Sequence, residues 1–122
     1  MEKQKYAAIV LAAGSGKRMN SKVHKQYLII QDRPVLYYSL KAFEDSAVDE
    51  IVLVVGKGEE KFCRKEIVDK YGISKVKAIV EGGKERYHSV FEGLKQTSDA
   101  DYVLIHDGAR PYVSKQSIND LV

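Results

Sequence analysis

Apolar residues in this chain gather in four short runs, at 6–11, 51–55, 76–80 and 102–105. Each run is apolar at odd and even positions alike, the pattern of a strand covered on both faces. The stretches between them carry apolar residues at helical spacing. Pro34 suits a first helical position, and Leu36, Leu40 and Phe43 follow on one face. A second helix is predicted over 59–70, around Phe62 and Ile67, ending near Gly72. A third covers 85–97 and sets Val90, Phe91 and Leu94 on one side. A fourth starts at Ser114, a good cap, and takes in Ile118 and Leu121. Residues 27–30 read as a weaker extended patch. Strands alternating with helices predict an α/β fold, a Rossmann-like, doubly wound and mainly parallel sheet.

Ligands on such sheets bind at the carboxyl ends of the strands, and three glycine-bearing polar turns stand there. LAAGSGKRM (11–19) follows the first run. Gly14 and Gly16 let the backbone come close to a ligand, turn N–H groups attract an anion, and Lys17 and Arg18 add full charges. Spacing excludes the dinucleotide fingerprint, because its third glycine falls on Met19. It excludes the P-loop as well, because Leu11 and Arg18 stand where Gly and Ser or Thr are required. A basic surface turn is the plain alternative. With Lys25, and Lys22 as a further cation, the loop concentrates positive charge that a nucleoside triphosphate and its divalent metal would offset.

The other two turns are EGGKERYHS (81–89) and HDGARP (106–111). Backbone groups at Gly82 and Gly83 are suited to reading the edge of a flat ligand such as a base, with Ser89 a second hydrogen-bonding group. An ordinary glycine turn is the alternative. Asp107, at a strand end before Gly108, is the metal candidate, since Mg²⁺ takes one or two protein carboxylates plus waters and phosphate oxygens. It is otherwise an Asp capping its own turn. His106 is expected to make a structural hydrogen bond rather than bind metal, and Cys63 and His88 to be structural or exposed.

Composition narrows the class without adding chemistry. The 122 residues suffice for one domain with a core, and 44% apolar with 30% charged residues is ordinary for a globular protein. A net charge of +3 is too small to indicate nucleic acid, and the eight tyrosines do not interleave with a basic stripe. One cysteine excludes a disulfide framework and a cysteine-based zinc site, and fits the cytoplasm. The N-terminus imitates a signal peptide, but its short β-branched run feeding a glycine loop reads as a strand, and no run has membrane-span length. The last helix stops at Val122 without a cap or polar tail, so the chain is expected to be a piece of a longer protein.

In order, LAAGSGKRM, HKQYL (24–28), RPVLYYSLKAF (33–43), GGKERYHSVFEGL (82–94) and VLIHDGARP (103–111) resemble the 2-C-methyl-D-erythritol 4-phosphate cytidylyltransferase family. The resemblance covers essentially the whole chain as the N-terminal, CTP-binding half, with the fold of nucleotide-diphospho-sugar transferases. It implies attack of the sugar-alcohol phosphate on the α-phosphorus of CTP, with Mg²⁺ present and pyrophosphate leaving. By matching position it implies Arg18 and Lys25 as the transition-state cations. Ala12, Ala13, Gly14 and Gly16 become the CTP-holding loop, and Gly83, Lys84 and Ser89, with Arg86 nearby, the cytosine contacts. Asp107 becomes the metal ligand beside Gly108 in the nucleotide site, and Arg110 a contact to the second substrate near a homodimer interface. No nucleic-acid or membrane partner is implied. Two positions depart from the family pattern: His24 replaces the usual proline before the lysine, and Gly108 a common alanine. Neither change removes a chemical group. Ribitol-5-phosphate cytidylyltransferase is the nearest rival, although AAG, GKRM and GGKER fit it less well. A CTP-binding module without catalysis is the alternative of another class, and residues 1–122 alone are expected to be inactive.

Overall fold

Tyr6–Leu11 carries no charge and no side chain that needs solvent beyond its first residue, and it becomes the central strand, β1. The computed structural model describes residues 4–12, 29–30 and 33–107. After β1 come a two-residue antiparallel pair, β2 (Ile29–Ile30) and β3 (Arg33–Pro34), and helix α1 (Val35–Glu44). Strand β4 (Glu50–Val55) leads into a short helix α2 (Glu60–Cys63), which runs on as a π-helical segment, Arg64–Asp69. Strand β5 (Val76–Glu81), helix α3 (Arg86–Lys95) and strand β6 (Tyr102–Asp107) complete the described elements.

The four long strands form one parallel sheet in the order β5-β4-β1-β6. The chain steps outward from β1 to β4 and β5, then returns across β1 to place β6 on its other side. Parallel crossovers keep one hand, so a reversed step puts its helix on the opposite face. The two apolar layers follow that rule. Leu36, Leu40 and Phe43 of α1, with Cys63, Ile67 and Val68, pack on Ala8, Val10, Ile51 and Leu53. Val90 of α3 packs from the other side on Ile9, Leu11, Val52 and Val54. The sheet is doubly wound, as expected.

Four local expectations are corrected. Pro34 lies in β3 opposite Ile29, and the helix starts one residue later, at Val35. The second helix is α-helical only over Glu60–Cys63. The five-residue interval from Cys63 to Val68, both buried, matches a π turn, which periodicity of 3.6 does not reveal. On α3 the buried residues are Ser89 and Gly93, whereas Phe91 and Leu94 are exposed. A Cβ on Gly93 would stand 2.7 Å from Ile9 Cγ2, so the small residue lets the helix sit close to the sheet. Finally, β6 is not covered on both faces: Tyr102 and Ile105 are exposed among the described residues. The weak patch at 27–30 is a strand over Ile29–Ile30; residues 27–28 and the helix expected from Ser114 lie outside the described residues.

Polar groups close the rim at the strand starts. Asp49 and Asp101 carboxylates accept the Tyr6 and Lys5 backbone N–H groups at 2.8 and 2.6 Å. Lys5 Nζ meets Asp99 at 2.5 Å and Glu50 at 3.4 Å, and Lys77 meets Glu50 at 3.2 Å. The hydrogen bond to Asp99 holds the Lys5 ammonium above its ordinary pKa, and the same bond holds Asp99 below its own. Ser46 ends α1, its hydroxyl donating to Phe43 O at 2.7 Å and accepting the Val48 N–H. Among the described residues no helix is long and apolar enough to cross a membrane.

Glu44, the last residue of α1, ties that helix to the turn before β5. Burial alone would push its carboxyl up, but the Ser74 hydroxyl at 2.5 Å and the Lys75 N–H at 2.8 Å outweigh it and hold the pKa below 4.5. A carboxylate whose folded pKa is lowered stabilises fully above its unfolded value and loses that contribution as pH falls through the folded one. Glu44→Gln is therefore expected to cost about 1–2 kcal/mol near pH 7, in the range of hydrogen bonds to a charged group discounted for partial exposure. Urea unfolding at a series of pH values checks this. The gap between the parent and the variant should narrow as pH falls through the ordinary glutamate range and below it, as Glu44 takes up its proton.

Candidate functional site

At the carboxyl end of the sheet, β1 and β6 stand side by side with Leu11 opposite Asp107. The crossover from β1 to β4 packs α1 on one face of the sheet and the crossover from β5 to β6 packs α3 on the other, so the β1/β6 boundary is the switch point where an open α/β sheet leaves a crevice. Asp107, half-buried, is the last residue of β6 and flanks that crevice. Ala12 flanks it from the other side, buried, with its N–H donated to Val54 O at 2.6 Å. That N–H is engaged in the sheet, so any ligand contact by Ala12 falls to its other atoms.

The second cluster lies at the end of β5. Gly82 N–H donates to Val55 O at 2.8 Å and keeps the turn in line with the sheet. Gly83, Lys84 and Arg86 are exposed, and α3 begins at Arg86 after an extended Glu85. Glu85 N–H donates to His88 Nδ1 at 3.4 Å, so His88 folds back over the helix start. A Cβ on Gly83 would overlap the His88 side chain, which gives that glycine a packing reason beside the close backbone approach expected of it. Ser89, one residue on, is 3% exposed and faces the sheet.

The structure thus places Ala12, Gly83, Lys84, Arg86, Ser89 and Asp107 on one rim, in two groups. Three strand spacings, about 14 Å, separate β5 from β6. An extended ligand, a flat group at one end and anionic groups at the other, suits that separation better than a compact one. Ala13, Gly14, Gly16, Arg18, Lys25, Gly108 and Arg110 lie outside the described residues.

Sequence reasoning missed one part of the rim, the β4–α2 turn. Gly56 N–H donates to Glu59 Oε1 at 2.9 Å and Gly58 N–H to Glu81 Oε2 at 2.7 Å. Gly58 has φ +81°, a conformation that favours glycine. Both carboxylates are engaged by backbone donors, which lowers their use as ligands. The signal was GKGEE at 56–60, a glycine turn at a strand end like the other three.

Asp107, the residue expected to hold a metal, stands at this rim at the end of β6. Among the described residues no three His, Cys, Asp or Glu side chains gather as a ligand set. His106 Nε2 lies 3.3 Å from Ser39 Oγ, a hydrogen bond whose donor depends on the imidazole tautomer. The hydrogen bond expected of His106 is present. One hard oxygen donor at the crevice fits Mg²⁺, which needs few protein ligands when phosphate and water supply the rest.

Comparison with known proteins agrees with this architecture. The family model described as IspD: 2-C-methyl-D-erythritol 4-phosphate cytidylyltransferase matches residues 6–122. The protein of that name from Lachnoclostridium phytofermentans is 56% identical over 119 residues, 98% of this chain and 51% of the relative. The crystal structure of 4-diphosphocytidyl-2C-methyl-D-erythritol synthase from Anaerococcus prevotii superposes with a TM-score of 0.75 at 34% identity, over 97% of this chain and 51% of that one. Rv0371c from Mycobacterium tuberculosis, solved in complex with manganese, has a TM-score of 0.72 at 20% identity, over 97% and 58% of the two chains, and bears on the fold alone. The chain spans about half the length of the curated relatives it matches. With its parallel sheet, its rim of glycine turns and a match from β1 onward, the chain belongs to the 2-C-methyl-D-erythritol 4-phosphate cytidylyltransferase family.

Proposed function

We propose that the complete gene product joins the CMP part of CTP to 2-C-methyl-D-erythritol 4-phosphate and releases pyrophosphate. The observation that carries this reading is the family match over residues 6–122, in a chain whose Asp107 and Gly83–Ser89 cluster share one rim. A phosphate oxygen of the second substrate attacks the α-phosphorus, a new P–O bond forms, and the bond to pyrophosphate breaks. The nucleophile is already an anion, so no general base is needed.

Arg18 and Lys25 stabilise the charge that builds on the α-phosphate and the leaving group. Ala12, Ala13, Gly14 and Gly16 hold the triphosphate, and Gly108 is a further nucleotide-binding residue. Gly83, Lys84 and Ser89 contact cytosine, and Arg86 adds positive charge beside them. Arg110 binds the second substrate next to a homodimer contact. Mg²⁺, held by Asp107, neutralises phosphate charge and orients the triphosphate when bound. Residues 1–122 form one nucleotide-binding domain, and the buried, reduced Cys63 suits a cytoplasmic setting.

The test is pyrophosphate release by the complete gene product from CTP and Mg²⁺, with methylerythritol phosphate or ribitol 5-phosphate as acceptor. Release is expected with the first acceptor only. Release with ribitol 5-phosphate instead would replace the assignment, and CTP binding without release under either condition would reduce the protein to a nucleotide-binding module.

A further inference from the structure

Strand β6 has β1 on one side and no strand among the described residues on the other. Its carboxyl end, where Asp107 stands, needs some other restraint if a carboxylate there is to hold one position. The restraint is visible at the residue before it. His106 points to the α1 face of the sheet, where Nε2 lies 3.3 Å from Ser39 Oγ and the ring meets Phe43 edge-on, centroids 5.5 Å apart. Ser39 is fully buried and Phe43 nearly so, within the layer formed by Leu36 and Leu40. A hydroxyl in such a layer is costly unless hydrogen-bonded, and a hydrogen bond sets distance and direction more sharply than apolar contact does.

We propose that His106 is a positioning residue: bound to Ser39 and packed on Phe43, it latches the end of β6 to α1 and so fixes where Asp107 stands in the crevice. This rests on the cytidylyltransferase reading and deepens it. Successive strand residues face opposite ways, so the latch works from one face while the adjacent carboxylate faces the other. Displacement of a reacting or ligating group by about 1 Å can cost 10²-fold in rate, which gives the latch its functional weight.

The test uses S39A, H106F and H106Q in the complete gene product. H106F keeps a ring against Phe43 without its nitrogens. H106Q keeps an amide nitrogen near the place of Nε2. S39A and H106F are each expected to speed hydrogen exchange at the amides of residues 105–107 about tenfold in metal-free protein, with the β4 amides unchanged. Both should raise the Mg²⁺ concentration for half-maximal pyrophosphate release about tenfold, and H106Q should stay within about threefold of the parent. Exchange and half-activation unchanged in S39A would overturn the latch, as would H106Q impaired as much as H106F. If H106F does not fold, S39A, which removes a single oxygen, decides. A parent protein that releases no pyrophosphate under any condition would overturn the functional reading instead.

Discussion

Asp107→Asn in the complete gene product is expected to lower kcat about 10²–10³-fold while leaving the fold intact, the range for removing one prepositioned electrostatic group. The substitution keeps size and shape and removes one negative charge at the end of β6. Asp107 reaches the sheet through its backbone pairing with Leu11, which an amide side chain does not disturb. Among the described residues no set of three His, Cys, Asp or Glu side chains gathers that could take over an ion Asp107 would hold. Steady-state pyrophosphate release across a Mg²⁺ titration, with a thermal melt of the same samples, measures both halves of the expectation. Excess Mg²⁺ should recover only part of the rate. A kcat within threefold of the parent at unchanged melting temperature would remove Asp107 from the metal site.

The largest expected loss of stability lies at Gly93. Valine there is expected to destabilise the chain by about 3 kcal/mol, the upper part of the range for overpacking a core. The first added atom would stand 2.7 Å from Ile9 Cγ2, and Ile9 is fully buried in the central strand. Two further methyls have nowhere to go unless α3 lifts off the sheet. Alanine separates sterics from propensity: it gains about 1 kcal/mol of helix propensity over glycine, so G93A should lie between the parent and G93V. Urea denaturation of the three proteins orders them. Equal midpoints for G93V and the parent would show that α3 does not approach β1 as closely as described.

Much of this architecture was legible because a parallel sheet writes its strands as continuous apolar runs. The strands at 6–11, 50–55, 76–81 and 102–107 were found to within two residues for that reason. The face α3 buries was not legible, since the helix approaches the sheet through Ser89 and Gly93, and a pattern search looks for large residues there. Gly83 was read as a ligand-facing glycine, yet its packing reason is a histidine five residues on, through a helix-start contact that no strand or helix period encodes. The candidate site was legible as motifs, because glycine and charge at strand ends are local signals. The Ser39–His106 contact joins residues 67 positions apart and was half-seen, its histidine noted and its partner not. The π turn after Cys63 left no readable mark.

The strand order has a consequence for how the chain is made. β1 is synthesised first, and β6, its partner on the crevice side, is the last of the described strands to appear. At 5–20 residues per second, β1 can have β4 beside it for roughly 3–10 s before residue 107 emerges from the ribosome. Throughout that interval one edge of an uncharged strand, Tyr6–Leu11, lies open with no lysine or proline to discourage a stranger from pairing with it. The crevice at which a nucleotide would meet the sheet is the seam that closes last among the described strands, and one that a holding chaperone would have reason to cover.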